Sequence, residues 1–332
     1  IGTTAWLSVA ATGLAAAAVV GDRIQKVRRI PAELRAPMAY VPLTFNATTI
    51  GFLRKALANL PAPTLPGVST RGQAITGPDA NPNLTVLISE RPDRPKGSPV
   101  LLWIHGGGFV AGNAASSTPA CRRYANDLNA LVVSVDYRLA PEHPFPAALD
   151  DCFAALTWVR DNAEALRIDP ERIAIGGDSA GGGLAACLAQ RATDAGIPLA
   201  LQLLIYPMLD DRTRCDDPAG RGRLSWSPLS NRFAWRSYLG QSTEVPPPYA
   251  VAARRLDLKG LPPAWIGVGD LDLFFAEDVA YAERLRAAHV PVDLRVVPGM
   301  YHAADLMVEP QPESMVRFWG DMAQALRDGI AR

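Results

Sequence analysis

Ser179 sits between Asp178 and Ala180 in the run Gly177-Asp178-Ser179-Ala180-Gly181. This is the G-x-S-x-G spacing of a serine raised on a sharp turn from a strand into a helix. A serine so placed takes a strained backbone, and the glycines two residues before and after it remove side chains that would collide there. The chemistry that suits it is nucleophilic attack on an acyl carbonyl. The helix that begins at Ala180 aims its free amides, Ala180 N–H first, at the place where a negative oxygen would form. A glycine-rich turn of this kind can instead cradle a phosphate. That reading needs G-x-G-x-x-G after a first strand or a G-K-[ST] ending, and neither occurs here.

A serine hydroxyl is a weak nucleophile until a base takes its proton, and the base needs a carboxylate to fix its tautomer. The sequence offers four histidines: His105, His143, His289 and His302. In strand-turn-helix hydrolases with this pentapeptide the chain order is serine, acid, histidine, which sets aside His105 and His143. His289 precedes the strand-like run 293–297 and falls at its N-terminal edge. His302, in V-P-G-M-Y-H-A-A-D, follows that run and emerges at the C-terminal edge, where open sheets bind ligands. His302 is therefore the expected base. The acid should leave the strand before it, in A-W-I-G-V-G-D-L-D-L, where Asp270 and Asp272 both qualify. One of them should face His302 while the other caps the next helix or faces water. Spacing alone does not choose.

The elements that must carry these residues are legible as apolar, β-branched runs at 84–88, 100–104, 131–135, 172–176, 201–206, 264–269 and 293–297. They are near-continuous rather than alternating, as strands buried on both faces are. Helical patterns fall between or after most of them, at 117–128, 146–163, 180–194, 276–288 and 313–328. In the last, Met315, Trp319, Met322 and Leu326 share one face. Strand alternating with helix predicts a doubly wound, mostly parallel α/β sheet flanked by helices. Residues 1–70 and 207–250 break the alternation. The first reads as helical and then proline-rich. The second carries Trp226, Phe233, Trp235 and Tyr238 among polar residues. Insertions of this length are often lids or binding loops, so the two segments are expected to form a helical cap, with some of those aromatics lining a pocket.

Lys plus Arg and Asp plus Glu number 33 each, so no net field gathers polyanions, and nucleic acid is a poor partner. Cys121, Cys152, Cys187 and Cys215 lie far apart without ligand spacing, which predicts free thiols in a reducing compartment and neither zinc nor a disulfide framework. Residues 5–20 are apolar but short of the roughly 20 residues that span a bilayer. The basic residues follow this stretch instead of preceding it, unlike a signal peptide. An N-terminal helix packed on the protein is expected, and with it a cytoplasmic location. The alternative is membrane association or export through that segment.

Taken together, H-G-G-G-F at 105–109, D-Y-R-L-A-P-E-H-P-F-P-A-A at 136–148, G-D-S-A-G-G at 177–182 and Y-P-M-L-D-D at 206–211 resemble the hormone-sensitive-lipase-like bacterial esterases on the α/β-hydrolase fold. The resemblance covers roughly residues 80–325. It implies a serine carboxylesterase of small or medium acyl esters, needing no metal or organic cofactor and working as a monomer or homodimer. It further implies Ser179 as nucleophile, His302 as general base and then acid, and Asp272 as orienting carboxylate. Gly107, Gly108 and Ala180 become the oxyanion donors. His105 is expected to brace its loop, and the 137–148 stretch to form a rigid turn beneath the site. Leu273 stands where the family usually has proline, which keeps Asp270 open. The domain division expected is a cap from 1–70 and 207–250 over a catalytic unit of 71–206 and 251–332. The same fold also carries non-catalytic receptors and amidase- or lactonase-like hydrolases, which remain as alternatives.

Overall fold

The computed structural model describes residues 21–331 apart from 42–43, 59–64, 79–80, 82, 214–220, 223 and 241–244. The apolar segment 5–20 and Cys215 therefore lie outside the described residues. Eight strands form one sheet: β1 (Ser69–Thr76), β2 (Asn83–Glu90), β3 (Ser98–Ile104), β4 (Leu131–Val135), β5 (Ile168–Asp178), β6 (Leu201–Ile205), β7 (Ala264–Gly269) and β8 (Val292–Val297). Their order is β1-β2-β4-β3-β5-β6-β7-β8. β1 with β2 and β2 with β4 are antiparallel, while all other neighbours run parallel.

β3, β4, β6 and β7 are buried along their whole length, because helices cover both faces. Successive residues of β3 point to opposite sides: Val100, Leu102 and Ile104 join one core, Leu101 and Trp103 the other. On the first face pack α3 (Ala147–Asp161), α4 (Ala180–Asp194) and α6 (Phe275–Ala287). On the second lie α2 (Thr118–Leu128) and α7 (Glu313–Ile330). Met315, Trp319, Met322 and Leu326 of α7 are all buried there, as their spacing predicts.

The edges differ from expectation. β1 was not legible, because an edge strand with an open face needs few apolar residues; in S-T-R-G-Q-A-I-T only Ile75 is buried. β8, expected to be buried on both faces, is the opposite edge, and Val296 is 37% exposed. The helices outside the sandwich include α1 (Ile50–Ala58) from the N-terminal segment and α5 (Pro228–Leu239) from the 207–250 insertion. α5 begins with Ser227 accepting from the Ser230 amide and with Pro228 in the first turn, where a missing N–H costs nothing. The two segments touch: Phe45 N donates to Ser230 Oγ at 3.0 Å, and the Phe45 and Trp226 rings lie 5.3 Å apart. Among the described residues no helix is long and apolar enough to cross a membrane, and no group of three or more acidic, histidine or cysteine side chains could hold a metal ion.

Candidate active site

After β3 the chain crosses to β4 on one side of the sheet and returns to β5 on the other, so the crevice between the carboxyl ends of β3 and β5 is the switch point at which such sheets bind ligands. Gly106 to Gly108 leave β3 there and Ser179 leaves β5. Ser179 has φ 54° and ψ −120°, a conformation that costs about 1–3 kcal/mol for a residue with a side chain. Its amide donates to Ile205 O at 2.9 Å, and its carbonyl accepts from Gly183 and Met208. The flanking glycines are dictated by close approach. A Cβ on Gly181 would stand 2.1 Å from Ile104 O, and one on Gly177 would stand 2.4 Å from the same oxygen.

His302 reaches this serine from beyond β8. Its Nε2 lies 2.9 Å from Ser179 Oγ, and its Nδ1 lies 2.8 Å from Asp272 Oδ2. Nδ1–H donates to the carboxylate, which leaves Nε2 free to accept the serine proton. All three side chains are buried, Asp272 completely. The other Asp272 oxygen accepts from Phe274 N at 2.9 Å, which fixes the carboxylate's rotation. Asp270 lies elsewhere: its Oδ1 accepts from Gly299 N at 2.7 Å. Asp270 is half-buried, so it keeps part of the exposure to water expected of the second aspartate. Asp270 ties down the turn that delivers His302.

Two aromatic rings hold the imidazole edge-on, Tyr206 at 4.9 Å and Phe274 at 5.1 Å between centroids. Tyr206 donates its hydroxyl to the buried Asp305 at 3.0 Å. Neither Tyr206 nor Asp305 emerged from the sequence as a site residue. The signal available was Asp305 three residues after His302 in the run H-A-A-D, although the helix that carries it begins only at Ala304.

Gly107 and Gly108 have φ of 115° and 64°, which favours glycine. A Cβ on Gly108 would meet the Trp226 ring at 2.3 Å. No described residue accepts a hydrogen bond from the amides of Gly107, Gly108 or Ala180. Neighbouring groups fix this loop. Gly106 N donates to Asp178 Oδ1, and His105 Nδ1 donates to Gly106 O at 2.7 Å. The His105 ring stacks on Tyr137, whose hydroxyl donates to His105 O. Burial pushes the His105 imidazole down to about 4, so it is neutral at pH 7. Of the four aromatics singled out in the 207–250 insertion, Trp226 lies nearest the site, 6.2 Å from the His302 ring. Trp235 and Tyr238 are instead buried against Phe109, and Phe233 is partly buried. Cys121, Cys152 and Cys187 are buried free thiols, each pushed up by burial.

Desolvation also pushes the Asp305 carboxyl up to about 7 and that of Asp178 up to about 6. In the unfolded chain both ionise at about 3.9. The folded protein therefore holds extra protons between these values. The stability these groups contribute is complete below about pH 4 and is lost as pH rises through the folded values. His105 works in the opposite sense. Its contribution is complete above about 6.5 and is lost as pH falls through its folded value. Asp305→Asn keeps an acceptor for Tyr206 and removes the titration. It is expected to raise the melting temperature by a few degrees at pH 8 and to leave it unchanged at pH 4. Thermal unfolding across that range checks this, and an equal shift at both ends would contradict it.

Residues 101–306 match a family described as the alpha/beta hydrolase fold. The chain is 39% identical over 269 residues to the carboxylesterase NlhH of Mycobacterium tuberculosis, covering 79% of this chain and 84% of that protein. It is 40% identical over 258 residues to the esterase LipI of the same species, covering 75% and 79%. Among solved structures, that of esterase LipW from Mycobacterium marinum superposes with a TM-score of 0.83 at 35% identity, covering 92% of this chain and 98% of that one.

Proposed function

This chain belongs to the hormone-sensitive-lipase-like carboxylesterases of the α/β-hydrolase fold, and from that premise we propose that it cleaves short- to medium-chain acyl esters with Ser179, His302 and Asp272 as its triad. The observation that carries this reading is the pair of hydrogen bonds, 2.8 Å and 2.9 Å, that links Asp272, His302 and Ser179. His302 Nε2 takes the hydroxyl proton as Ser179 Oγ attacks the ester carbonyl. The tetrahedral oxyanion rests on the amides of Gly107, Gly108 and Ala180, each such donor contributing about 3 kcal/mol of transition-state stabilisation. Protonated His302, steadied by Asp272, gives its proton to the departing alcohol. Water then enters, is deprotonated by His302, and releases the acid from the acyl-enzyme. No step in this reading calls for a metal or an organic cofactor.

The described parts of 21–70 and 207–250 form the cap in this reading, over a catalytic unit drawn from the described parts of 71–206 and 251–331. The contacts of Phe45 with Ser230 and Trp226, and of Trp226 with Gly108, support it. Trp226 lies against Gly108 and 6.2 Å from the His302 ring, so in this reading acyl length should be limited there. On p-nitrophenyl acetate, butyrate, octanoate and laurate, turnover is expected for the first three and a steep fall at laurate. A fluorophosphonate should label the peptide carrying Ser179. Absence of turnover on every ester, or label on another residue, would overturn the reading.

A further inference from the structure

Arg54 of α1 reaches out of the N-terminal segment into the loop that carries Gly107 and Gly108. Its Nε donates to Val110 O at 2.6 Å, and one terminal nitrogen donates to Ala140 O at 2.7 Å. Both terminal nitrogens also bond Glu142, each at 2.8 Å. Val110 and Ala140 are buried, and no backbone amide among the described residues donates to either carbonyl. Without the guanidinium, two buried acceptors would lose their partner, which costs more than the bond itself contributes.

The carbonyl at Val110 belongs to a tight turn. The amides of Val110 and Ala111 both donate to Gly107 O, at 3.2 and 2.9 Å. A Cβ on Gly107 would lie 2.1 Å from Ala111 O, so the turn closes directly on the glycine. Phe109, in the middle of it, has φ 63°. Its carbonyl accepts from Ala140 N, and its ring stacks on Tyr238 of α5 at 4.1 Å. Both outlying segments therefore grip adjacent residues of one turn: α5 holds Phe109 and α1 holds Val110. The ion pair with Glu142 is the weaker part of the latch, because Glu142 is more than half exposed and such pairs contribute little.

We propose that Arg54 is a positioning residue, through which docking of α1 sets the oxyanion-binding amides of Gly107 and Gly108. The proposal rests on those amides being the oxyanion donors. Donors stabilise a developing charge only when already aimed at it, and a misplacement of about 1 Å can cost about 100-fold in rate. The planar guanidinium fork satisfies two carbonyls and a carboxylate at once, which a lysine ammonium does not reproduce.

The test compares Arg54→Ala, Arg54→Lys and Glu142→Gln by steady-state turnover of p-nitrophenyl butyrate. Active sites are counted by fluorophosphonate titration. Affinity for an alkyl trifluoromethyl ketone, which forms a tetrahedral adduct with the serine, is measured alongside. Arg54→Ala is expected to lower kcat per titrated site about 10- to 100-fold, to weaken the ketone by a similar factor, and to leave KM within about threefold. Arg54→Lys should recover little of this. Glu142→Gln, which spares both carbonyl contacts, should stay within about threefold of the parent. The proposal is overturned if kcat per site is unchanged in Arg54→Ala, if it falls while ketone affinity holds, or if Glu142→Gln loses as much. A parent enzyme that the ketone does not inhibit would instead sink the oxyanion assignment itself, and the proposal with it.

Discussion

Ser179→Ala is expected to reduce ester turnover by about 10⁶-fold, to the level that binding and the oxyanion amides sustain alone. Among the described residues the hydroxyl meets one side-chain partner, His302 Nε2, so its loss removes the bond-forming atom and little else. Backbone strain at φ 54° is present for serine and alanine alike, and the Ile205 and Met208 contacts are made by main-chain atoms. The folded state should therefore persist, with a melting temperature close to that of the parent. Turnover of p-nitrophenyl butyrate, measured together with thermal unfolding, separates lost chemistry from lost structure. Activity that survives in a folded variant would mean that another nucleophile acts and that the whole assignment is misplaced.

The sequence made the site legible because local sterics and chain order both leave marks. Gly177 and Gly181 are required by their approach to Ile104 O, and this requirement appears in the sequence as a pattern. His302 could be singled out because a residue after a parallel strand must emerge at the carboxyl edge, whatever its side chain does next. The central strands were readable for a related reason: burial on both faces forces continuous apolar runs. The edges obey no such constraint. β1 pairs on one side only and shows its polar residues to water, so it left no run to find, and β8 opens one face despite its valines. Tyr206, Asp305 and Arg54 were missed because their partners come from distant parts of the chain. The Arg54 contacts span 56 to 88 residues, and no spacing rule encodes a meeting that only the tertiary fold arranges. The same limit explains the aromatics of the 207–250 insertion. Composition placed Trp226, Trp235 and Tyr238 in one group, whereas packing turned the last two onto Phe109 and left Trp226 over the histidine.

Position on the chain left Asp270 and Asp272 equivalent, and their replacement by asparagine is expected to separate them by about three orders of magnitude. At 272 the outcome follows from the two hydrogen bonds of the carboxylate. Oδ1 must remain an acceptor, because it faces Phe274 N at 2.9 Å, so an asparagine would keep its oxygen there and turn its NH₂ toward His302 Nδ1. Nδ1 would then have to accept, and the ring proton would move to Nε2. That nitrogen faces Ser179 and would no longer take its proton, so kcat should fall about 10⁴-fold with the geometry intact. At 270 the same substitution keeps an oxygen for Gly299 N, and the turn into His302 retains its tie. There the loss should stay within about tenfold, accompanied by a small fall in melting temperature. Comparable losses at both positions would mean that holding the turn matters as much as setting the tautomer. Asp272 would then be one brace among several, and the proton path drawn through His302 would need a different partner.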